Sequence, residues 1–424
     1  MQRVLVLDKN RQPLMPCHPA RARQLLRRGK AAVFRCFPFT IILKDRESGV
    51  TQPTVLKLDP GSKTTGLALV ADFARRGKVL VWAAELRHRG AAIRKALADR
   101  RAHRRFRRSK LRYRPARFDN RTRPDGWLAP SLLHRVDTTM TWVRRLMRWV
   151  PVMSLAQELA RFDTQALQNP EISGIQYQQG TLFGYELREY LLEKWVRKCA
   201  YCDAENVPLT IDHIHPRSKG GSNRVSNLTL ACFPCNQRKG NRDVAEFLDR
   251  DPKRLARIEA QRRAPLQDAA AVNSIRWALW RNLVATGLDV EVGTGGRTKR
   301  NRSQQQYPKE HWIDAACVGE SGANVRLDPF HKPLAIQAMG HGERQRARLN
   351  RYGFPRGYKL RARSYLGFRT GDVVFCAKPK IEVFAGRVAI RFRPSFVVTG
   401  ADRKVESHPK YLSMIQKGDG YAYA

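Results

Sequence analysis

The chain has 424 residues, of which 42% are hydrophobic, and its 80 Lys and Arg outnumber 37 Asp and Glu. The resulting formal net charge of +43 repels itself unless a polyanion binds, so we expect a nucleic-acid-binding protein. The length predicts two or three modules. No apolar run reaches the length of a membrane span and no signal peptide precedes the chain, so we expect no membrane partner. Eight cysteines, four of them at zinc spacing, fit a reducing cytoplasm better than a disulfide framework.

The first 86 residues predict two small units. In the first, "RVLVLD" predicts a strand, "KNRQPLMP" a turn, "HPARARQLLRRGK" a short helix ending at Gly29, and "AAVFRCFPFTIIL" a returning strand. In the second, "TVLKLDPGSKTTGLALVADFARRGKVLVWAAEL" predicts a strand, a glycine-containing turn and two further strands. Asp59 ends the first of these strands.

Residues 87–124 hold sixteen Lys or Arg against two Asp. Basic residues recur at helical spacing, and the apolar stripe that Ile93 and Leu97 begin is broken at Arg101, so this helix lacks a face for an ordinary core. Solvated helices usually mix the two signs of charge, which favours a helix lying along phosphates. The candidate RNA-binding residues are Arg94, Arg101, Arg104, Arg105, Arg108 and Arg112.

The rest of the chain alternates helices and strands. "SLLHRVDTTMTWVRRLMRWV" predicts an amphipathic helix, "VPVMSLAQELARFD" a strand ending near Glu158, and "GYELREYLLEKWVRK" a helix. Residues 243–287 are predicted to be helical, and "LDVEVGTGGRTKRNR" predicts a strand followed by a basic loop. "HWIDAACVG" predicts the start of a helix, and the chain from about residue 340 predicts a small β-barrel.

Two Cys-x-x-Cys pairs frame residues 199–235. Four thiolates, from Cys199, Cys202, Cys232 and Cys235, predict a closed tetrahedral zinc site that is structural and has no open position for catalysis. The chemistry must therefore come from the residues between and beside the pairs.

Those residues form a nuclease-like pattern. Asp212 and Asn236 offer oxygen ligands suited to Mg²⁺, His213 is a candidate general base that takes a proton from water, and Asn227 is predicted to hold the imidazole in the right tautomer. This order of residues resembles the HNH, or ββα-metal, nuclease fold. The alternative is a plain zinc ribbon with surface polar residues.

A second set of carboxylates is spread along the chain. Asp59 and Glu158 end predicted strands, and His311 and Asp314 lie one helical turn apart on one face. Three carboxylates and a histidine can hold two divalent ions for in-line displacement at phosphorus, with Asp59, Glu158 and Asp314 as Mg²⁺ ligands. Together they resemble the RuvC, RNase H-like nuclease.

The whole chain resembles the IscB family of transposon-associated, RNA-guided DNA endonucleases, which are related to the ancestors of the large CRISPR effectors. The resemblance rests on "PLMP", "LDPGSKTTG", the arginine-rich helix ending in "RYRPARF", "QELARFD", the cysteine-framed segment and "HWIDA". It implies an α/β and α+β multidomain protein with a split RuvC fold, an inserted arginine-rich bridge helix, a zinc-stabilised HNH domain and a C-terminal barrel-like domain. The implied divisions are 1–50 (PLMP domain), 51–86, 125–182 and 251–335 (three RuvC parts), 87–124 (bridge helix), 183–250 (HNH) and 336–424 (C-terminal domain).

The resemblance also implies a function. The HNH centre would cut the DNA strand paired to the guide, the RuvC centre would cut the other strand, and the cofactors would be Mg²⁺, structural Zn²⁺ and a large structured guide RNA (omega RNA). The partner would be double-stranded target DNA with a short flanking motif that the β-rich C-terminal domain reads. The residues there offer candidates for contacts with base edges, including Arg351, Tyr352, Lys359 and Arg361, and the alternative is a structural barrel that only holds RNA. We expect a monomeric ribonucleoprotein in the prokaryotic cytoplasm, associated with the nucleoid.

Two other functions fit the sequence. A nuclease that needs no guide would cut without bound RNA. A zinc-containing RNA-binding protein with degenerate nuclease remnants would lack at least one acidic ligand, and none is missing.

Overall fold

The computed structural model of the chain describes residues 2–109, 126–159, 185–263, 269–340, 347–352, 354–358, 364–391 and 395–423. Arg112, Lys359 and Arg361, all predicted to contact nucleic acid, lie outside these residues, as does most of the "QELARFD" motif after Leu159. Within the described residues, the helices lack the length and apolar character that would let one cross a membrane.

The N-terminal residues form a four-stranded sheet with one helix. Its elements are β1 (Val4–Leu7), β2 (Pro13–Cys17), α1 (Pro19–Arg27), β3 (Ala31–Arg35) and β4 (Thr40–Leu43), in the sheet order β2-β1-β4-β3. The single returning strand predicted over 31–43 is two antiparallel strands, β3 and β4. Pro38 lies in the turn between them, where its missing N–H costs no ladder hydrogen bond.

A seven-stranded mixed sheet forms the centre of the molecule. Its first strands, β5 (Thr54–Pro60), β6 (Thr64–Phe73) and β7 (Gly77–Arg87), are the antiparallel set that the sequence predicts. The arginine-rich helix α2 (Gly90–Ser109) and the amphipathic helix α3 (Pro130–Trp149) follow, and then β8 (Ser154–Glu158) pairs in parallel with β5. The other three strands of this sheet come from later parts of the chain.

The cysteine-framed segment folds as two strands and a helix with further helices around them. The elements are α4 (Tyr185–Lys194), β9 (Leu209–His213), β10 (Leu228–Cys232), α5 (Phe233–Lys239), α6 (Val244–Phe247) and α7 (Pro252–Arg263). They share one apolar core that includes Leu191, Ile214 and Leu230, each fully buried.

The chain then returns to the central sheet through α8 (Ala269–Val284), β11 (Asp289–Gly293), α9 (Gly295–Gln304), α10 (His311–Ala316) and β12 (Leu334–Ala338). Strand β11 is parallel to β8, and β12 is parallel to β7. The prediction of a basic loop after β11 is wrong, because residues 295–304 are helix α9. The side chain of Thr294 caps it by accepting a hydrogen bond from the backbone N–H of Arg297.

The central sheet is covered on both faces, which explains why β6 is apolar at nearly every position. Leu67 and Leu69 pack in the cluster that contains Trp142 of α3 and Leu279 of α8. Ala68 and Val70 point the other way and pack with the residues of α10, including Trp312.

The C-terminal residues form two hairpins and an antiparallel sheet. The strands are β13 (Ala347–Leu349), β14 (Pro355–Tyr358), β15 (Ser364–Tyr365), β16 (Phe368–Arg369), β17 (Val373–Cys376), β18 (Phe384–Ala389), β19 (Phe396–Thr399), β20 (Lys404–Ser407), β21 (Leu412–Gln416) and β22 (Tyr421–Tyr423). The five-stranded sheet has the order β20-β19-β18-β17-β21, and its two edge strands are not paired with each other within the described residues. Strand β22 does not join this sheet but pairs with β12, so residues 336–424 also contribute to the central sheet. The full order of the central sheet is β11-β8-β5-β6-β7-β12-β22.

Candidate nuclease centres

A ββα unit carries the first candidate centre. β9 and β10 pair antiparallel, with Asp212 opposite Thr229, and α5 begins directly after Cys232 with a proline in its first turn. Helix α5 packs against both strands. The unit therefore brings the end of β9 and one face of α5 together.

Asp212 is buried and has two protein partners. The Tyr201 hydroxyl donates to its Oδ2 over 2.6 Å, and the Lys239 ammonium lies 3.2 Å from the same oxygen. Lys239, which is 1% exposed, also donates to the backbone carbonyl of His213 over 2.7 Å. Burial and the neighbouring Asp212 charge raise the pKa of Tyr201, so its phenol stays protonated and donates to the carboxylate.

The position of the His213 imidazole depends on a different asparagine from the one predicted. Its Nε2 lies 2.9 Å from Oδ1 of Asn223. Asn227, predicted to hold this imidazole, instead makes three bonds with backbone groups: its Oδ1 accepts from the N–H of His215, and its Nδ2 donates to the carbonyls of His215 and Ser222. The prediction for Asn227 is therefore corrected, because its buried amide secures the loop after β9.

Asn236 lies beside the strand that carries Asp212. Its Nδ2 donates to the Thr210 hydroxyl over 3.0 Å, and Thr210 precedes Asp212 by two residues on the same face of β9. Lys239 follows Asn236 by one helical turn and reaches Asp212 itself. Asn236 and Lys239 thus present polar groups to one face of β9.

The four cysteines lie together. Cys199, Cys202, Cys232 and Cys235 have ligand atoms within 4.8 Å of one another, and the Sγ atoms of Cys202 and Cys232 are 3.7 Å apart. Burial raises the pKa of the Cys235 thiol to about 12; the Arg238 guanidinium opposes this rise, and the neighbouring thiols add to it. Four such thiols suit one soft divalent cation that ionises them together, which agrees with a structural zinc site.

The second candidate centre lies at one end of the central sheet. Leu58 of β5 and Gln157 of β8 are register partners in parallel strands, so the next residues, Asp59 and Glu158, lie side by side at the strand ends. Helix α10 packs against β5 and β6 and brings His311 and Asp314 to the same place. His311 Nδ1 is 3.3 Å from Oδ2 of Asp59.

Gly66 of β6 allows helix α10 to pack close against the central sheet. It is the register partner of Asp59 on β6, and a Cβ at Gly66 would lie 1.9 Å from the backbone carbonyl oxygen of His311. Any side chain at this position would push α10 away from the sheet.

Each carboxylate of the second centre has a basic partner. Arg276 of α8 donates to Oε1 of Glu158 over 2.8 Å, and Arg302 of α9 forms an ion pair with Oδ1 of Asp314. Neither arginine was predicted. Arg276 is a single basic residue within an apolar stretch of helix, which is a signal for a buried ion pair, whereas Arg302 lies in the stretch predicted to be a loop.

The pKa values report the closeness of the three acids. Burial raises the pKa of Glu158 to about 7; the Arg276 guanidinium opposes this rise, and the charges of Asp59 and Asp314 add to it. Burial and the Asp59 charge likewise raise the pKa of Asp314, against the effect of Arg302. The hydrogen bond to Asp59 raises the pKa of His311.

The donor set of the second centre fits a hard divalent cation, because three carboxylates and an imidazole converge on one end of a sheet. Within the part of the chain that the structure describes, however, the four cysteines are the only group of three or more ligand side chains whose donor atoms all lie within 4.8 Å of one another. The three carboxylates and His311 therefore lie near one another, but their ligand atoms are not all within 4.8 Å of one another.

Helix α2 exposes its basic residues. It holds eight Lys or Arg and one Asp, and from Ala91 to Phe106 only Ile93 and Leu97 are partly covered while every other side chain is exposed. Among the described residues, none of Arg94, Arg101, Arg104 and Arg105 has an acidic partner. The structure describes Arg108 as part of the helix backbone but does not describe its side chain.

Comparison with known proteins adds two family matches. Residues 4–180 match the family described as RRXRR protein, and residues 199–242 match the family described as HNH endonuclease. No curated protein sequence matches the chain.

Solved structures that resemble the chain include two of Streptococcus thermophilus Cas9 and one of a type II-C Cas9 from Actinomyces naeslundii. The S. thermophilus complex with the GGAA PAM is 11% identical, with a TM-score of 0.23 over 61% of this chain and 32% of that chain. The complex with the AGAA PAM is 11% identical, with a TM-score of 0.20 over 61% and 32%. The A. naeslundii enzyme is 18% identical, with a TM-score of 0.17 over 46% and 29%. The chain thus spans about a third of the length of these proteins, and TM-scores this low establish no common fold.

The ββα unit, its cysteine cluster and the family match define an HNH endonuclease domain over residues 199–242. The region that matches the RRXRR family precedes this domain in the same chain.

Proposed function

We propose that this protein is an RNA-guided DNA endonuclease of the IscB family with two metal-dependent centres, one for each DNA strand. The observation that carries the proposal is that one chain holds two separate constellations, Asp212 with His213 in the HNH domain and Asp59 with Glu158 and Asp314 on the central sheet. The topology of that sheet supports an RNase H-like (RuvC) assignment: an antiparallel β5-β6-β7 set is followed by β8 and β11, each parallel to its neighbour.

In the HNH centre, His213 has the geometry of a general base. Since Oδ1 of Asn223 accepts from Nε2, the ring's lone pair is on Nδ1, which can take a proton from an attacking water. Asp212 and Asn236 would hold Mg²⁺, which when bound supplies charge stabilisation for the phosphorane and its leaving oxygen. Tyr201 and Lys239 fix the orientation of the Asp212 carboxylate.

In the second centre, Asp59, Glu158 and Asp314 would hold the divalent ions and His311 would orient Asp59. The ion pair between Arg276 and Glu158 opposes the effect of burial and favours the ionised carboxylate that a metal needs. By the resemblance to the IscB family, this centre would cut the strand not paired to the guide.

Guide RNA binding is supported by the exposed arginines of α2, of which Arg94, Arg101, Arg104 and Arg105 have no acidic partner among the described residues. A helix with this charge and no buried stripe gains little from packing and much from phosphate contacts. Between this helix and Glu158, residues 110–157 include helix α3, which packs on the central sheet. A structured RNA would therefore provide much of the scaffold for guide and target.

The C-terminal region is proposed to recognise the flanking DNA motif. Tyr352, Phe354 and Tyr358 are exposed around the β13–β14 hairpin, and the Arg351 guanidinium lies 4.7 Å from the ring centroid of Tyr352. Exposed arginine and aromatic side chains are the groups that contact base edges and stacked bases.

The test is reprogramming. Purified protein is stripped of nucleic acid, any RNA that co-purifies is sequenced, and the protein is reconstituted with that RNA carrying a new guide. The proposal expects cutting to follow the new guide and to require Mg²⁺. Equal cutting without RNA would favour the guide-independent nuclease, and RNA binding without any cutting would favour the RNA-binding protein.

A further inference from the structure

In the second centre, each carboxylate is held by a basic side chain of the protein. Arg302 pairs with Asp314, Arg276 with Glu158 and His311 with Asp59. Three acids this close would otherwise repel one another in a buried environment.

The two arginines are anchored differently. Arg276 donates from Nε to the Pro60 carbonyl as well as to Glu158, so it is tied to the backbone of β5 at the centre itself. For Arg302, the carboxylate of Asp314 is the one side-chain partner within the described residues. Its guanidinium can therefore leave without breaking a bond to the protein backbone.

Charge balance requires the Arg302 guanidinium to leave Asp314 when a divalent cation binds there. With both guanidinium groups in place, the three carboxylates are already mostly neutralised, and a divalent cation at Asp314 would meet a positive charge in contact with its ligand. Like charges at a few ångströms in a buried site oppose each other strongly. A cation and the Arg302 guanidinium thus compete for the same carboxylate.

We propose that Arg302 is a placeholder cation, which neutralises Asp314 while no metal is bound and leaves it when a divalent cation binds. The inference rests on the proposed metal-dependent centre. Arg302 is in this sense a positioning residue: it keeps α9 and α10 together and Asp314 in place in the metal-free protein, and it lowers the affinity of the centre for Mg²⁺.

The experiment compares Arg302→Gln with Arg300→Gln, an exposed arginine on the same helix. Both are made in full-length protein carrying Asn236→Ala, so that Mg²⁺-dependent stabilisation reports the second centre. Thermal unfolding is measured in EDTA and across a Mg²⁺ titration, and the Mg²⁺ concentration for half-maximal cutting of the displaced strand is measured with strand-labelled DNA.

Arg302→Gln is expected to lower the unfolding temperature in EDTA, to enlarge the stabilisation by Mg²⁺, and to lower the half-maximal Mg²⁺ concentration by roughly tenfold, the effect of removing one competing charge. Arg300→Gln should change none of these. Arg302→Lys retains the charge and should keep a midpoint close to that of the parent, which covers the case in which the glutamine variant fails to fold.

A half-maximal Mg²⁺ concentration that stays the same or rises in Arg302→Gln, with equal loss of stability with and without Mg²⁺, would overturn the inference and leave Arg302 as an ordinary structural ion pair. A parent protein that Mg²⁺ neither stabilises nor activates for cutting of the displaced strand would instead overturn the proposed function.

Discussion

Gly66→Ala should disable the second centre while leaving the HNH centre active. The new Cβ would lie 1.9 Å from the His311 carbonyl oxygen, 2.4 Å from its carbon and 3.0 Å from the backbone nitrogen of Trp312. All three are backbone atoms of α10, so no side-chain rotation relieves the clash. Since non-bonded carbon contacts are about 3.5–4.0 Å, the helix must move by more than about 1 Å.

That movement has two measurable consequences. Asp314 would leave its place beside Asp59 and Glu158, and a displacement of about 1 Å in a catalytic group costs on the order of a hundredfold in rate. The overpacked core should also lose about 1–3 kcal/mol of stability. Strand-labelled cleavage and thermal unfolding measure the two effects.

The matched control is Gly49→Ala in the loop after β4, where a new Cβ would meet only flexible side-chain ends, the Arg46 guanidinium at 3.0 Å and Cδ2 of Leu14 at 3.3 Å. This variant should cut both strands as the parent does. If Gly66→Ala cuts the displaced strand at the parent rate, the contact between α10 and β6 does not set the geometry of the second centre, and the assignment of His311 and Asp314 is wrong.

Three other predictions concern the HNH domain and the arginine-rich helix. Lys239→Met leaves the buried Asp212 without its cation and should cost about 3–5 kcal/mol in denaturant unfolding, whereas Lys219→Met, which removes an exposed pair with Glu246, should cost less than about 1 kcal/mol; equal losses would contradict the role given to Lys239. Stripping the cysteine cluster with a chelator should release about one zinc per chain. Once Mg²⁺ is restored, the stripped protein should no longer cut the guide-paired strand but should still cut the displaced strand, and an HNH centre that works without zinc would refute this. Replacing three exposed arginines of α2 by glutamate should lower the salt dependence of RNA binding by about one unit per lost phosphate contact, and an unchanged slope in filter binding would identify a merely solvated helix. The three are Arg101, Arg104 and Arg105.

The local elements of this protein are largely visible in its sequence. The glycine-containing turn after Asp59, the apolar β6 and the charge pattern of α2 each follow from rules that act over a few residues. The two Cys-x-x-Cys pairs predicted a cluster that the structure confirms as four neighbouring thiols. Such patterns predict the folded structure well because the same residues make both the local and the tertiary contacts.

What the sequence did not reveal depends on contacts between distant segments. Asp59 and Glu158 meet only because β8 pairs in parallel with β5 after an intervening helix, and nothing local specifies that register. Arg276 likewise lies 118 residues from its partner Glu158. Arg302 is only 12 residues from Asp314, but it falls in the stretch predicted to be a loop. The error over residues 295–304 has a local cause: two glycines and six basic or amide residues predict a loop, but Thr298 and Asn301 are buried and hold the helix in place.

The side chain of Asn301 is another example of a contact that the sequence does not reveal. Its amide donates to the carbonyls of Cys317 and Gly319, directly after α10, so it helps to fix the helix that carries Asp314. Likewise, sequence order alone could not distinguish Asn223 from Asn227 as the partner of His213. Both lie on the connection between β9 and β10, and only the path of that connection decides which amide reaches the imidazole.

The central claim is that one chain holds two independent nuclease centres, and strand-labelled cleavage of an RNA-programmed target by His213→Ala and Asp59→Ala tests it most directly. The account predicts that the His213→Ala protein nicks only the displaced strand and that the Asp59→Ala protein nicks only the guide-paired strand, each near the parent rate. Loss of both cuts in either variant would contradict it, because the two sets of residues would then serve a single centre.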